Sequence, residues 1–233
     1  MSRTQEPAVI SHFNVQRTID IYASTQGRDL GGVASDIAKI TAAAQKQLPK
    51  GSTMVTRGQV ATMRSSFIGL GAGLAFAIVL VYLLIVINFQ SWSEAFIIIT
   101  ALPAALAGIV WMLYLTHTTL SVPALMGTIM SMGVATANSV LVISFANERF
   151  AETKDALQSA LEAGSTRLRP VIMTALAMII GMVPMAIGLG EGGEQNAPLG
   201  RAVIGGLLFA TVATLFFVPS VFAIVRHRKN QYA

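Results

Sequence analysis

The charged residues of this chain are confined to a few stretches, and that confinement limits its folds more than any other feature. None falls in residues 65–93, 95–147, 170–190 or 202–225. An apolar run of about 18 or more uncharged residues has the length of a membrane-spanning helix. Composition agrees, because only 12% of the residues are charged and 54% are hydrophobic, whereas an ordinary soluble domain carries about 25% charged residues. A soluble enzyme, a disulfide-built secreted domain and a disordered chain are therefore excluded. With no cysteine, disulfides, thiolate metal sites and cysteine nucleophiles are excluded as well.

Window 95–147 is too long for one crossing, and the polar cluster Thr116-His117-Thr118-Thr119 with Ser121 before Pro123 divides it. Five spans result, at roughly 66–87, 95–115, 122–146, 170–189 and 202–225. Trp92 at one end of the second span, and Trp111 with Tyr114 at the other, bracket it at headgroup depth. Arg149, Lys154, Arg167 and Arg169 lie between spans three and four, and Arg226, Arg228 and Lys229 follow span five. The short loops on the opposite face hold only Arg201, so the positive-inside rule puts the C-terminus in the cytoplasm and residues 1–64 outside. The excess of basic residues is thus explained by orientation. No basic patch with interleaved aromatics points to nucleic acid.

Residues 1–64 read as a folded α/β piece. Phe13, Val15, Ile19 and Ile21 alternate with polar residues in strand fashion. Residues 29–48 have apolar positions at helical spacing, stopped by Pro49-Lys50-Gly51, and a second short strand is expected over 53–57. About 60 residues bury too little surface to be convincing alone, so partner strands are expected elsewhere. Residues 147–169 predict a cytoplasmic amphipathic helix, with Phe150, Leu157, Ala160, Leu161 and Gly164 on one face and Lys154, Asp155, Gln158 and Glu162 on the other. Residues 65–146 and 170–225 hold the spans, and 226–233 form a basic tail. The expected fold is a mainly α membrane protein of five transmembrane helices with an N-terminal α/β piece.

The spans contain no ionisable side chain, although such a residue at membrane depth is the default mark of a transport site. Other features have a packing reading and a functional one. Gly69, Gly71 and Gly73 in the first span, and Gly205 with Gly206 in the fifth, are small residues that let helices approach. Pro103 and Pro184 kink spans two and four, either as static bends or as hinges for alternating access. Met126, Met130 and Met132 are interface fillers or a soft-metal path. His12, His117 and His227 fall in three separate regions and share no site, so no metal or cofactor is assigned. Asn138 with Ser139, and Thr174, are interhelical glue or members of a proton or substrate path.

The stretch Arg167-Leu168-Arg169-Pro170-Val171-Ile172-Met173-Thr174-Ala175-Leu176, then Gly181-Met182-Val183-Pro184, and Ala202-Val203-Ile204-Gly205-Gly206 ending at Phe217-Val218-Pro219, resembles the C-terminal signature of resistance-nodulation-division (RND) efflux permeases. Gly133-Val134-Ala135-Thr136-Ala137-Asn138-Ser139 and Gln59-Val60-Ala61-Thr62-Met63-Arg64-Ser65-Ser66-Phe67 add to the likeness, which covers nearly the whole chain. The resemblance implies the end of a periplasmic porter domain followed by the last five family helices. It also implies proton-driven export from the inner membrane by a homotrimer, joined by a periplasmic adaptor and an outer-membrane channel. In the family an aspartate pair on helix four faces a lysine on helix ten, supported by a threonine and an arginine of helix eleven. By position, the threonine is Thr174, the arginine is Arg167, and the lysine falls at Ala137, beside Asn138.

Alanine cannot balance the aspartates as lysine does. Heavy-metal exporters of the family also lack that lysine, so the resemblance leaves two cargo branches. Hydrophobic or amphiphilic compounds are the favoured expectation and heavy metals the alternative. The family has two halves of six helices, and this chain is expected to be a C-terminal portion or truncated reading frame that works with the N-terminal half. A non-transporting scaffold or degenerate remnant, and a related protein-export subunit, are the competing readings.

Overall fold

The computed structural model describes residues 10–25, 30–49, 51–190 and 193–231, with side chains described through residue 227. The chain divides into two units, residues 1–60 and 61–233.

In the first unit, β1 (Ser11–Phe13) and β2 (Gln16–Thr18) form an antiparallel hairpin in which His12 pairs with Arg17. The expected single strand through Val15 is therefore corrected. Asn14 and Val15 take φ of +46° and +67°, as a two-residue turn with both central residues left-handed requires. Ile19 and Ile21 lie exposed beyond the hairpin. The Arg57 guanidinium stacks 3.4 Å from the centre of the Phe13 ring. Residues 53–57 form no regular element. The second strand expected there does not form among the described residues, because no neighbouring strand supplies a ladder. Helix α1 (Leu30–Gln45) buries none of its residues.

The second unit is helical: α2 (Gln59–Phe89), α3 (Trp92–Ile99), α4 (Ala101–Leu115), α5 (Val122–Thr153), α6 (Ala156–Ile187), α7 (Gly193–Val212), a π-helical turn (Ala213–Phe217) and α8 (Val218–Gln231). Five helical segments, with α3–α4 and α7–α8 each counted as one, are long and apolar enough to cross a membrane. The protein is thus mainly α and of membrane type. Its boundaries follow from capping. Ser91 accepts from the Glu94 N–H to start α3, Ser121 accepts from the Ala124 N–H to start α5, and Asp155 accepts from Leu157 and Gln158 to start α6. Span two breaks at Thr100, where the ring of Pro103 meets the carbonyl four residues back, that of Ile99. Helix α6 by contrast continues through both Pro170 and Pro184.

Two sequence expectations change here. Residues 147–169 do not form a separate helix. They are the end of α5, a turn in which Lys154 is left-handed, and the start of α6, so the amphipathic segment is continuous with span four. Its buried face is Ala156, Ser159, Ala160 and Ala163, while Leu157 and Leu161 are exposed. Small side chains hold that face, where Ala160 and Ala163 pack in one cluster with Val142, Ile143 and Ala146 of α5. Span five is also longer and interrupted, with a π turn that periodicity did not reveal.

Helix α7 is the centre of this unit and packs on α4, α5 and α6. Its glycines make that possible. A Cβ on Gly206 would lie 2.6 Å from Ser131 Oγ, and one on Gly200 would lie 2.7 Å from the Ala186 nitrogen. Gly108 of α4 and Gly205 of α7 face one another backbone to backbone. Gly69, Gly71 and Gly73 of α2 have nothing within 4 Å of an added Cβ. Helix α2 reaches the core through Ile85, its one buried residue.

Candidate functional site between the helices

Of the positions singled out by sequence, Ala137, Asn138, Arg167 and Thr174 lie on α5 and α6, which run antiparallel from the turn at Lys154 and Asp155. The Arg167 guanidinium lies 5.1 Å from the centre of the Phe145 ring, which fixes the register of the pair. About two turns further from the connecting turn, Ala137 and Thr174 reach the same level on the two helices. Both are exposed within this chain. The Thr174 hydroxyl donates to the Val171 carbonyl at 3.0 Å. Arg167 Nε is buried without a hydrogen-bond partner, a costly state for a charged donor unless another group meets it. Asn138, next in sequence to Ala137, points the other way and is buried.

Ser139 joins Asn138 in the interior, where its hydroxyl pairs with that of Thr214 in the π turn at 2.9 Å; both residues are fully buried. Span three thereby bonds to span five by a direct polar contact. The three methionines separate: Met126 and Met130 are exposed, while Met132 packs with Leu102, Ala105 and Ala210. Among the described residues no group of three or more His, Asp or Glu side chains could hold a metal ion.

Sequence reasoning missed two charged clusters. Glu94, 8% exposed, receives an ion pair from Arg226 Nη2 and a 2.7 Å hydrogen bond from Asn147 Nδ2, and Arg226 also donates to Asn147 Oδ1 at 3.0 Å. The same guanidinium lies over the rings of Phe150 and Phe222. The pair ties the starts of span two to the ends of spans three and five. A signal was present, because Glu94 is the one charge between residues 65 and 147. At the opposite end of the helices, Arg201 Nε donates to the Ala186 carbonyl at 2.9 Å and Nη1 donates to the Thr118 hydroxyl. A cation there satisfies a carbonyl in the last turn of α6 and pins the α4–α5 loop. By sequence alone Arg201 is only a loop charge. Residues 191 and 192, just before α7, lie outside the described residues, as do the side chains of Arg228 and Lys229.

A family profile described as "AcrB/AcrD/AcrF family" matches residues 1–226. The chain is 35% identical to the cobalt-zinc-cadmium resistance protein CzcA of Cupriavidus metallidurans, over 97% of this chain and 21% of that protein. It is 30% identical to the toluene efflux pump membrane transporter TtgB of Pseudomonas putida, over 93% of this chain and 20% of that one. The crystal structure of a heavy metal efflux pump superposes with a TM-score of 0.73 at 26% identity, covering 87% of this chain and 20% of that structure. The chain spans about a fifth of the length of the relatives it matches. Proteins of this kind are transporters, multi-pass in the inner membrane, that generally act as trimers with partner proteins. This chain belongs to the RND efflux permease family.

Proposed function

We propose that this chain serves as the C-terminal membrane portion of a permease that exports its cargo from the cytoplasmic side of the inner membrane, driven by the proton gradient. In this reading its first 64 residues lie in the periplasm and its C-terminus in the cytoplasm. The observation that carries the proposal is the exposure of Ala137 and Thr174 on the α5–α6 pair, about two turns from a partly buried Arg167 whose Nε has no hydrogen-bond partner. Such a face is suited to receive acidic side chains from the N-terminal half of the permease. Arg167 would hold those acids ionised between proton loads, and the Thr174 hydroxyl would bond to the charged form. With alanine at 137, the guanidinium supplies the charge that lysine supplies elsewhere in the family. A homotrimer, a periplasmic adaptor and an outer-membrane channel complete the assembly proposed.

For cargo, the higher identity to a cobalt-zinc-cadmium resistance protein than to a toluene pump, 35% against 30%, supports divalent heavy-metal cations over amphiphilic compounds. The test is growth and efflux of cells carrying the full-length gene, challenged separately with cobalt, zinc, cadmium and a panel of amphiphiles. Thr174→Val and Arg167→Ala should abolish protection at unchanged membrane levels. Undiminished protection with either variant removes that residue from the relay. Protection against amphiphiles alone restores the other branch, and protection against nothing favours a scaffold.

A further inference from the structure

The last span is not one helix. Its α7 part ends at Val212, the π turn occupies Ala213–Phe217, and the Val218 N–H donates to the Ala213 carbonyl, five residues back instead of four. A π turn holds one residue more than the α-helix needs, and such turns are rare and frequently sit at functional sites. The sequence lowers its cost here. Pro219 has no N–H, so an uninterrupted α-helix would leave the Leu215 carbonyl without its bond in any case.

Contacts on both sides define the present register. In the turn, the Thr214 hydroxyl pairs with that of Ser139, both fully buried. Beyond it, Phe222 is fully buried and meets Phe150 edge-on at 6.4 Å between ring centres. One turn later, Arg226 reaches Glu94 and Asn147. Winding the turn into an α-helix with all its residues kept would rotate α8 by about 100° and shift it by about 1.5 Å relative to α7. Phe222 and Arg226 would then leave their sites together. A small rotation would lose the contacts of one seat without gaining another, so packing favours two discrete arrangements over a continuous slide.

We infer that Ala213–Phe217 is a register switch in the last span. It exchanges the π turn for an α turn, so that α8 rotates as a unit against α3, α5 and α6, and the Ser139–Thr214 hydrogen bond holds the π state. The switch stands on this geometry alone. Its coupling to transport rests on the export reading above, so the two are measured separately.

Ser93 of α3 and Val225 of α8 line one niche beside Glu94 and Arg226, and this chain has no native cysteine. The full-length permease, with any cysteines elsewhere removed, would carry Ser93→Cys and Val225→Cys and be treated in membranes with a short, reducible bis-thiosulfonate. The pair should link in the resting protein. Ser139→Ala, which releases the hold, should lower the yield, and Ser139→Thr, which keeps a hydroxyl, should restore it. A yield unchanged by Ser139→Ala overturns the switch whether or not any cargo moves. In a permease that exports, linking should stop export and reduction should restore it. Export at the unlinked rate by the linked protein also overturns the switch. Deleting Ala213, which removes the extra residue while keeping α8 seated, should leave linking intact and abolish export, and normal export by that variant overturns the proposal.

Discussion

Replacing Gly205 by alanine adds one methyl group where α7 crosses α4. The new Cβ would lie 2.5 Å from the Gly108 carbonyl oxygen and against the Met112 Cβ. An ordinary carbon–oxygen contact is nearly an ångström longer, and neither neighbour can rotate away, since one is backbone and the other is fixed to it. The helices must separate. Overpacking of this kind costs about 1–3 kcal/mol, and a backbone obstacle puts Gly205 at the upper end. Alanine returns about 1 kcal/mol through its better helix propensity, leaving a net loss of about 2 kcal/mol. Gly206→Ala provides the comparison, because its nearest neighbour is the Ser131 hydroxyl at 2.6 Å, which can turn, and the fixed Ser131 Cβ stands further off at 2.9 Å, so the loss should be smaller but not absent. Equilibrium unfolding of the full-length protein in mixed detergent–SDS micelles measures both. If Gly205→Ala is as stable as the parent, or more stable by the propensity term, the close crossing of α4 and α7 is wrong.

In the same assay Glu94→Ala should cost about 3 kcal/mol, because Arg226 would be left partly buried without its partner. The double variant Glu94→Leu with Arg226→Met should recover most of that loss, and no recovery would refute the pairing. Ser139→Ala and Thr214→Val should each cost about 1–2 kcal/mol by stranding a buried hydroxyl. The double variant should lose clearly less than the sum, since the two act through one bond. Arg201→Ala should cost about 1–2 kcal/mol through its hydrogen bonds to Ala186 and Thr118. Its mark is faster amide exchange at Gly188 and Leu189, and protection equal to the parent would refute the clamp.

The sequence alone determined the membrane class and the five apolar segments, because hydrocarbon excludes charge and that exclusion is written directly in residue order. Ala137, Thr174 and Arg167 could be picked out by likeness, but the exposure of Ala137 and Thr174 at one level of the α5–α6 pair could not, since it depends on how the two antiparallel helices pack. The strand expected through Val15 failed because alternation cannot distinguish one strand from a hairpin whose turn occupies a single step of the pattern. Window counting likewise divided α6 at Pro170, whereas the helix simply begins earlier in polar residues and runs through. Only the tertiary structure joined Glu94 to Arg226, Ser139 to Thr214 and Arg201 to Ala186. Those partners stand far apart in sequence, and the packing of glycine-bearing helices around α7, not any local preference, sets which polar groups meet.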